Sequence, residues 1–412
     1  MKFKSPGKHA MAFVLITVLL DIIGFGMILP VMPALITELT GESLNQAAIY
    51  GGWLMFVYAL MQFIFAPILG NLSDAFGRRP LFLITLFSLM IDYLIIGFSQ
   101  NLLWLFIGRV LVGISGASFG IATAYISDVS TKEKKAQNFG LIGAAFGVGF
   151  IVGPALGGLL GEYGARVPFF AAAALAAINF IYGAIVLPET LAPEKRRPFQ
   201  LTRANPIGVF YQMKKYPVVI GLMGVLFLYQ LAHDSLPSTW TYYTMFKFNW
   251  TARDVGLSLA LVGLMTGISQ GGLIRVAIKK FGEEITLFIG LMLGAVGYYG
   301  FAFAMSGSFM MAWIVPWSLM TLATPSLRAL MSHNVGDDAQ GELAGAMTSL
   351  SSFAAIMGPL LMSRLFFYFS GGDGPLYFPG AAFLLSGVLL TLGLLWAIIT
   401  LKKNKTLNAV QS

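Results

Sequence analysis

The sequence predicts an all-α membrane protein, with twelve membrane-crossing helices in two halves of six. Three observations carry that prediction. The 412-residue chain is 57% hydrophobic and only 11% charged, where a soluble domain carries about 25% charged residues, and its mean hydropathy is +0.78. Its apolar runs each reach the roughly 20 residues that a helix needs to cross the hydrocarbon core. Lys and Arg gather in alternate loops, the pattern that orients a multi-pass chain.

The elements follow in order. The first apolar run, from about Ala10 to about Ile36, is too long for the apolar core of a cleavable signal, and no A-x-A site follows it. It reads as span 1 and contains VLLDIIGFGMILPVMP, with Asp21, Gly24, Gly26, Pro30 and Pro33. Spans 2 to 6 are expected at 47–70, 80–99, 102–127, 138–161 and 167–187. The long polar stretch 188–216 then divides the chain. Spans 7 to 12 follow at 217–245, 254–278, 284–304, 308–331, 342–369 and 375–401. The expected domains are therefore a six-helix half at 1–187, a basic linker at 188–216 and a six-helix half with a short tail at 217–412, a common transporter architecture.

The basic loops set the orientation. Lys2, Lys4 and Lys8, Arg78 and Arg79, Lys132 to Lys135, the linker, Arg275, Lys279 and Lys280, Arg328 and the C-terminal lysines share one side. Only Arg166, Lys247, Arg253 and Arg364 fall on the other. Both termini and the linker are expected in the cytoplasm. The net charge of +8 is thus a matter of membrane orientation rather than nucleic-acid binding. Cys is absent and only three His occur, which leaves no disulfide, no thiolate site and too few imidazoles for a multi-histidine metal centre.

Charges inside the spans point to function, because each costs roughly 2.5 kcal/mol or more at mid-membrane and usually faces water or a partner. They are Asp21 in span 1, Asp92 in span 3, Arg109 in span 4 and Asp234, beside His233, in span 7. The first three share one half, and Arg109 is expected to cluster with one or both acids. A carboxylate balanced between burial and a neighbouring cation can load and release a proton near neutral pH; a static ion pair between helices is the other reading. Pro237 is expected to interrupt span 7 locally.

Three motifs add detail. GNLSDAFGRRP follows span 2; Gly77 permits a tight turn, and Arg78 can bridge Asp74 and Asp128 beside Gly70 in a conformational lock. The second half carries a partial echo, IRVAIKKFGEE, whose Phe281 and Gly282 keep the turn. Span 5 holds Gly140, Gly149, Gly153, Pro154, Gly157 and Gly158, spaced for close helix contact around a bend. LFIGRVLVGISGA places Arg109 ahead of the small residues Gly113 and Gly116.

Together these stretches resemble the drug–proton antiporters of the major facilitator superfamily, and within them the tetracycline efflux antiporters. The similarity runs along the whole chain and is densest in 15–160; YALMQFIFAPILGNLSDAFGRRP and the DYL of span 3 carry the subgroup resemblance. The resemblance implies the major facilitator fold and export driven by proton entry. It implies coupling or cavity roles for Asp21, Asp92 and Arg109, a cytoplasmic gate of Asp74, Arg78 and Asp128, and cavity positions at Gln62 and Gln270. It also implies the bacterial inner membrane. In one place the chain departs: the subgroup's acid in span 9 is replaced by Gly294, and a histidine of its span 8 by Thr266. His233 and Asp234 lie outside the subgroup's pattern, and the acid is read as having moved from span 9 to span 7.

The expected function is secondary, proton-coupled export of amphiphilic drug-like compounds, by a monomer that needs no cofactor beyond the proton gradient. The substrate is expected near the midplane, against Phe25, Tyr58, Gln62, Tyr229, Gln230, Trp240, Gln270 and Trp317. The alternative substrate is a natural metabolite, such as a siderophore or sugar-like compound. Nutrient symport conflicts with the span 5 pattern, and a receptor without flux leaves the buried acids unexplained. An enzyme is not indicated: there is no phosphate-binding G-x-x-x-x-G-K-[ST] loop, metal cluster or nucleophile–His pair.

Overall fold

In a computed structural model the described residues are 8–116, 118–130, 134–199, 215–336, 339–371 and 376–411. Residues 200–214 of the linker, and Lys2, Lys4 and Lys132, lie outside them. Every regular element among the described residues is helical. Eleven stretches are long and apolar enough to cross a membrane, and one of them, Ala252–Phe303, has 52 residues. At 1.5 Å per residue it would be about 78 Å long, more than twice the hydrocarbon thickness. Gly282, at φ 75° and ψ 173°, interrupts it, which is consistent with two spans there and with the expected twelve.

The helices are α1 (Lys8–Ile28), α2 (Met32–Thr40), α3 (Leu44–Phe76), α4 (Arg78–Gly97), α5 (Leu102–Ser115), α6 (Ser118–Val129), α7 (Lys135–Gly161) and α8 (Val167–Val186). After the linker come α9 (Pro217–His233), α10 (Ser235–Phe248), α11 (Ala252–Ile268), α12 (Ile274–Phe303), α13 (Gly307–Ser318), α14 (Ala323–Ser332), α15 (Gln340–Phe369) and α16 (Ala381–Gln411). A π-helical turn, Ser269–Leu273, joins α11 to α12.

Several spans are interrupted, and only the interruption of span 7 was expected. Span 1 divides at 29–31 because Pro30 has no N–H to give and Pro33 starts a new helix, where it is tolerated. In span 4, α5 ends at Ser115 and Gly116 follows it; residue 117 lies outside the described residues. Span 7 divides at Asp234, three residues before Pro237. The proline cannot donate to the carbonyl of His233, so the ladder gives way there. Span 10 tightens into a 3-10 turn at Leu319–Leu322 before α14. Gly77, at φ 112°, makes the α3–α4 turn that Gly282 repeats within α12.

The chain forms two compact units. One comprises Met1–Ala47, Val57–Ala204 and Trp250–Leu264; the other comprises Ala48–Phe56, Asn205–Asn249 and Met265–Ser412. In the first, α1 packs on α7 and α8, and α4 on α5 and α8. Its core joins Phe13, Val14 and Val18 to Phe82, Leu86, Tyr125 and Ile126. In the second, α16 packs on α9 and α12, and α15 on α9 and α10. Aromatic rings fill it: Trp240 meets Phe301 edge-on at 5.0 Å, and Tyr243 meets Phe383 at 5.1 Å.

Candidate functional site

The first unit buries an ion pair. Asp92 on α4 is 0% exposed and Arg109 on α5 is 9% exposed; Arg109 Nη2 donates to Asp92 Oδ2 at 2.5 Å. Gly108 leaves room for the carboxylate, since a β-carbon there would sit 2.5 Å from Asp92 Oδ1. Asp21 is held differently. Its Oδ1 accepts from Asn179 Nδ2 of α8 at 3.1 Å, and the same amide donates to Thr17 O at 3.3 Å. The clustering expected for Arg109 therefore holds for Asp92, while Asp21 belongs to a separate contact between α1 and α8. Tyr93, next to Asp92, fills the space at Gly24. Gln62 of α3 donates to Gly116 O at 2.9 Å and to the Tyr58 hydroxyl at 3.2 Å, which joins α3 to the end of α5.

At the α3–α4 turn Arg78 reaches two acids: Nη1 to Asp74 Oδ1 at 2.5 Å and Nε to Asp128 Oδ2 at 3.2 Å. Ser73 Oγ accepts from Nη1 at 3.2 Å. The turn is seated by a residue that the sequence reading passed over. Glu189, just after α8, accepts from the backbone N–H of Arg78 at 2.9 Å and of Arg79 at 3.2 Å. It also accepts from Thr190 and Leu191 N–H, each at 3.0 Å. Four donors on one carboxylate at a helix start form a strong cap. Gly77 keeps the place clear, because a β-carbon there would collide with Glu189. Gly70, grouped with this lock, has nothing within 4 Å of where its β-carbon would be, so close packing does not explain it.

The α7 glycines divide in the same way. A β-carbon on Gly153 would sit 2.6 Å from Ile23 O, and one on Gly149 2.8 Å from Ile22; one on Gly157 would strike Met27 O. These three let α7 lie directly on α1, where Gly26 receives the Pro154 ring. Gly158 turns instead to Ala252, Arg253 and Gly256 at the start of α11. Gly140 has open space around it, so the expected close contact is absent there.

In the second unit Asp234 stands at the α9–α10 joint and His233 ends α9. A β-carbon on Gly358 of α15 would sit 2.5 Å from Asp234 Cβ, and Asp234 Oδ2 is buried with no hydrogen-bond partner. The His233 ring stacks at 6.4 Å on Tyr229 and at 6.4 Å on Trp317. Gln230 donates to Ser351 Oγ at 2.7 Å. Trp240, expected on a cavity wall, is 1% exposed and sealed among Phe301 and Phe383. It is core, because an indole of that volume between two rings has no open face. Gln270 lies exposed in the π-turn, and Phe25 is 38% exposed.

With this geometry in place, comparison with known proteins identifies the chain. The family profile of the Major Facilitator Superfamily matches residues 14–359. The tetracycline resistance protein, class C, of Escherichia coli is 37% identical, over 87% of this chain and 90% of that one. The chain belongs to the major facilitator superfamily, in its tetracycline-resistance-like subgroup. The class H protein of Pasteurella multocida is 36% identical, over 91% and 93% of the two chains. The crystal structure of the nucleoside transporter NupG superimposes with a TM-score of 0.79 at 12% identity, over 95% and 99% of the chains, and shows the shared fold. The protein is thus a multi-pass membrane transporter of small molecules rather than an enzyme.

The departure at span 9 has a packing reason. A β-carbon on Gly294 would lie 2.7 Å from Met320 Cγ and 2.8 Å from Leu390 Cδ1, so α12 has no room for an acid there. Thr266 keeps a buried hydroxyl without a partner. Two residues were missed in the sequence. Asn179 is the lone amide in the apolar run of span 6, a signal that was available; Glu189 looked like one more linker charge, and only the fold brings it to the α4 terminus.

Proposed function

We propose that the chain exports amphiphilic, drug-like compounds in exchange for protons, and that Asp21 carries the proton. The observation behind the assignment is the contrast between two acids in the spans of the first half, the half-buried Asp21 and the buried Asp92. Asp92 is neutralised by Arg109, so a proton can reach it only by breaking an ion pair. Asp21 has a neutral amide as its partner, and the amide can donate one hydrogen bond to the acid in either protonation state. Asp92 and Arg109 then act as a fixed dipole in the same half. His233 and Asp234 are two adjacent titratable groups within a span of the other half.

In the proposed cycle Asp21 takes a proton from outside, substrate leaves outward and the proton is released inside. Each inward charge gains about 2.3 kcal/mol per 100 mV. Asp74, Arg78 and Asp128 form a lock that must open and close in the cycle, with Glu189 seating its turn. Phe25 and Tyr58 of the first unit offer aromatic surface to the substrate, whereas Tyr229 and Trp317 of the second, 4% and 2% exposed, offer almost none. The two halves, 1–187 and 217–412, are joined by the linker 188–216; both termini and the linker are cytoplasmic, and the protein works as a monomer in the bacterial inner membrane.

The names of the relatives support an antibiotic as substrate. The crowding at Gly294 favours a second reading within the same mechanism, in which the main substrate is a natural metabolite and tetracycline is poorly carried. Proteoliposomes with an imposed pH gradient test both. Proton flux evoked by several amphiphilic drugs and lost in Asp21→Asn supports drug export. Flux with one metabolite alone supports the second reading, and no proton-coupled flux with any compound rejects both.

A further inference from the structure

The second unit holds a cavity of about 490 Å³ between α9, α14 and α15, in the size range of small-molecule sites. Helical spacing builds its walls. Thr324, Arg328 and Ser332 recur every four residues and share one face of α14. Thr348, Ser351 and Ser352 line the facing side on α15, and Leu226 and Gln230 complete it from α9. The Gln230–Ser351 hydrogen bond ties α9 to α15 across one end, and Gln340 ties α15 to α14 by accepting from Ser332 Oγ at 2.8 Å and donating to Ser332 O at 3.0 Å.

Among the described residues, the one charged residue lining this cavity is Arg328, which is exposed. Arg328 makes no hydrogen bond or ion pair with any described residue, and none of the lining residues is Asp or Glu. Around it stand neutral hydroxyls and an amide, with Leu226, Leu343 and Met347 as an apolar floor. A guanidinium presents a planar fork of donors that matches a carboxylate, sulfonate or phosphate. A cation among neutral hydrogen-bonding groups, over an apolar floor, is complementary to an amphiphile with an acidic head.

We propose that this cavity binds the acidic group of an amphiphilic anion on Arg328, with its apolar body against Leu343 and Met347, and that the anion is a transported substrate. The last clause rests on the export reading. It makes the protein's substrates anions or zwitterions rather than simple cations, and it gives the second unit a recognition site apart from His233 and Asp234. A membrane phospholipid could supply the same chemistry from its headgroup, so the test separates the two sources.

The experiment uses the full chain in phosphatidylcholine nanodiscs and two fluorescent probes that differ by one group: 8-anilinonaphthalene-1-sulfonate and the neutral N-phenyl-1-naphthylamine, each corrected for empty discs. Arg328→Gln is expected to weaken sulfonate binding about tenfold, the scale of one charge-assisted hydrogen bond, and to leave the neutral probe unchanged, which also shows that the variant is folded. Arg328→Lys is expected to recover part of the loss. Equal effects on both probes, or none on the sulfonate, overturn the site. Asp337 and Asp338 lie outside the described residues, so the double variant D337N/D338N is included. Unchanged sulfonate affinity supports the proposal, whereas a tenfold rise shows that Arg328 serves those acids and overturns it. Native mass spectrometry after adding phosphatidylglycerol is the last arm. Lipid retained through Arg328 and not displaced by the sulfonate overturns the substrate assignment; displacement supports it. The export reading is judged separately by drug-evoked proton flux, which can fail while the probe difference persists.

Discussion

Removing one partner of the Asp92–Arg109 pair should cost far more than removing both charges. The perturbation is a cycle of Arg109→Gln, Asp92→Asn and the double variant. The guanidinium and carboxylate meet at 2.5 Å between N and O, which puts the charge centres about 4 Å apart, where an effective dielectric of 20 gives an attraction of about 4 kcal/mol. Either single variant leaves the other charge buried with Asp92 at 0% and Arg109 at 9% exposure, and breaking such a pair costs about 3–5 kcal/mol. The double variant leaves two neutral amides at hydrogen-bonding distance and is expected within about 1 kcal/mol of the parent, because the desolvation of both charges is relieved. Unfolding of the detergent-solubilised protein, followed by its own tryptophan fluorescence, measures all four forms. The coupling energy expected from these costs is about 5 kcal/mol or more. Additive costs, or a double variant no more stable than either single one, would refute the reasoning and return Asp92 to the pool of freely titrating acids.

Other outcomes follow from the same geometry. Glu189→Ala removes the acceptor for the Arg78 and Arg79 amides and should cost about 1–2 kcal/mol; hydrogen exchange at the start of α4 should quicken, and an unchanged rate would contradict the cap. Gly153→Leu should prevent α7 from seating on α1 and sharply reduce folded yield, while Gly140→Ala, with open space around it, should leave yield and melting temperature unchanged. Asp234→Asn should abolish coupled transport yet leave a folded protein, as judged by size-exclusion profile; unimpaired flux would remove Asp234 from the coupling scheme.

Much of the fold was legible because bilayer thickness imposes a length that composition alone reveals. The span boundaries fall close to the helices found, and the Phe-Gly turn could be read twice, at Gly77 and at Gly282. The breaks were less legible. Pro237 signalled an interruption, but the displacement to Asp234 depends on which carbonyl loses its donor. The partners of the buried charges were not legible at all. Arg109 could have met Asp21 or Asp92; packing of α1 on α8 gave Asp21 to Asn179, a choice no one-dimensional pattern encodes. Aromatic residues were the weakest guide, since Trp240 and Trp317 both read as cavity walls in sequence, and ring packing on Phe301 places both in the core, at 1% and 2% exposure. Glu189 shows the same limit, because a linker carboxylate becomes a helix cap only when the chain returns to the α3–α4 turn.

The account turns on Asp21 as the proton carrier. Its most direct test is proton uptake by purified protein in liposomes under an imposed pH gradient, with an amphiphilic drug added, comparing the parent with Asp21→Asn. The account predicts drug-evoked proton flux in the parent and none in the variant, with drug binding retained. Undiminished flux in Asp21→Asn would contradict it, and would show that the acid beside Asn179 holds α1 to α8 and carries no proton.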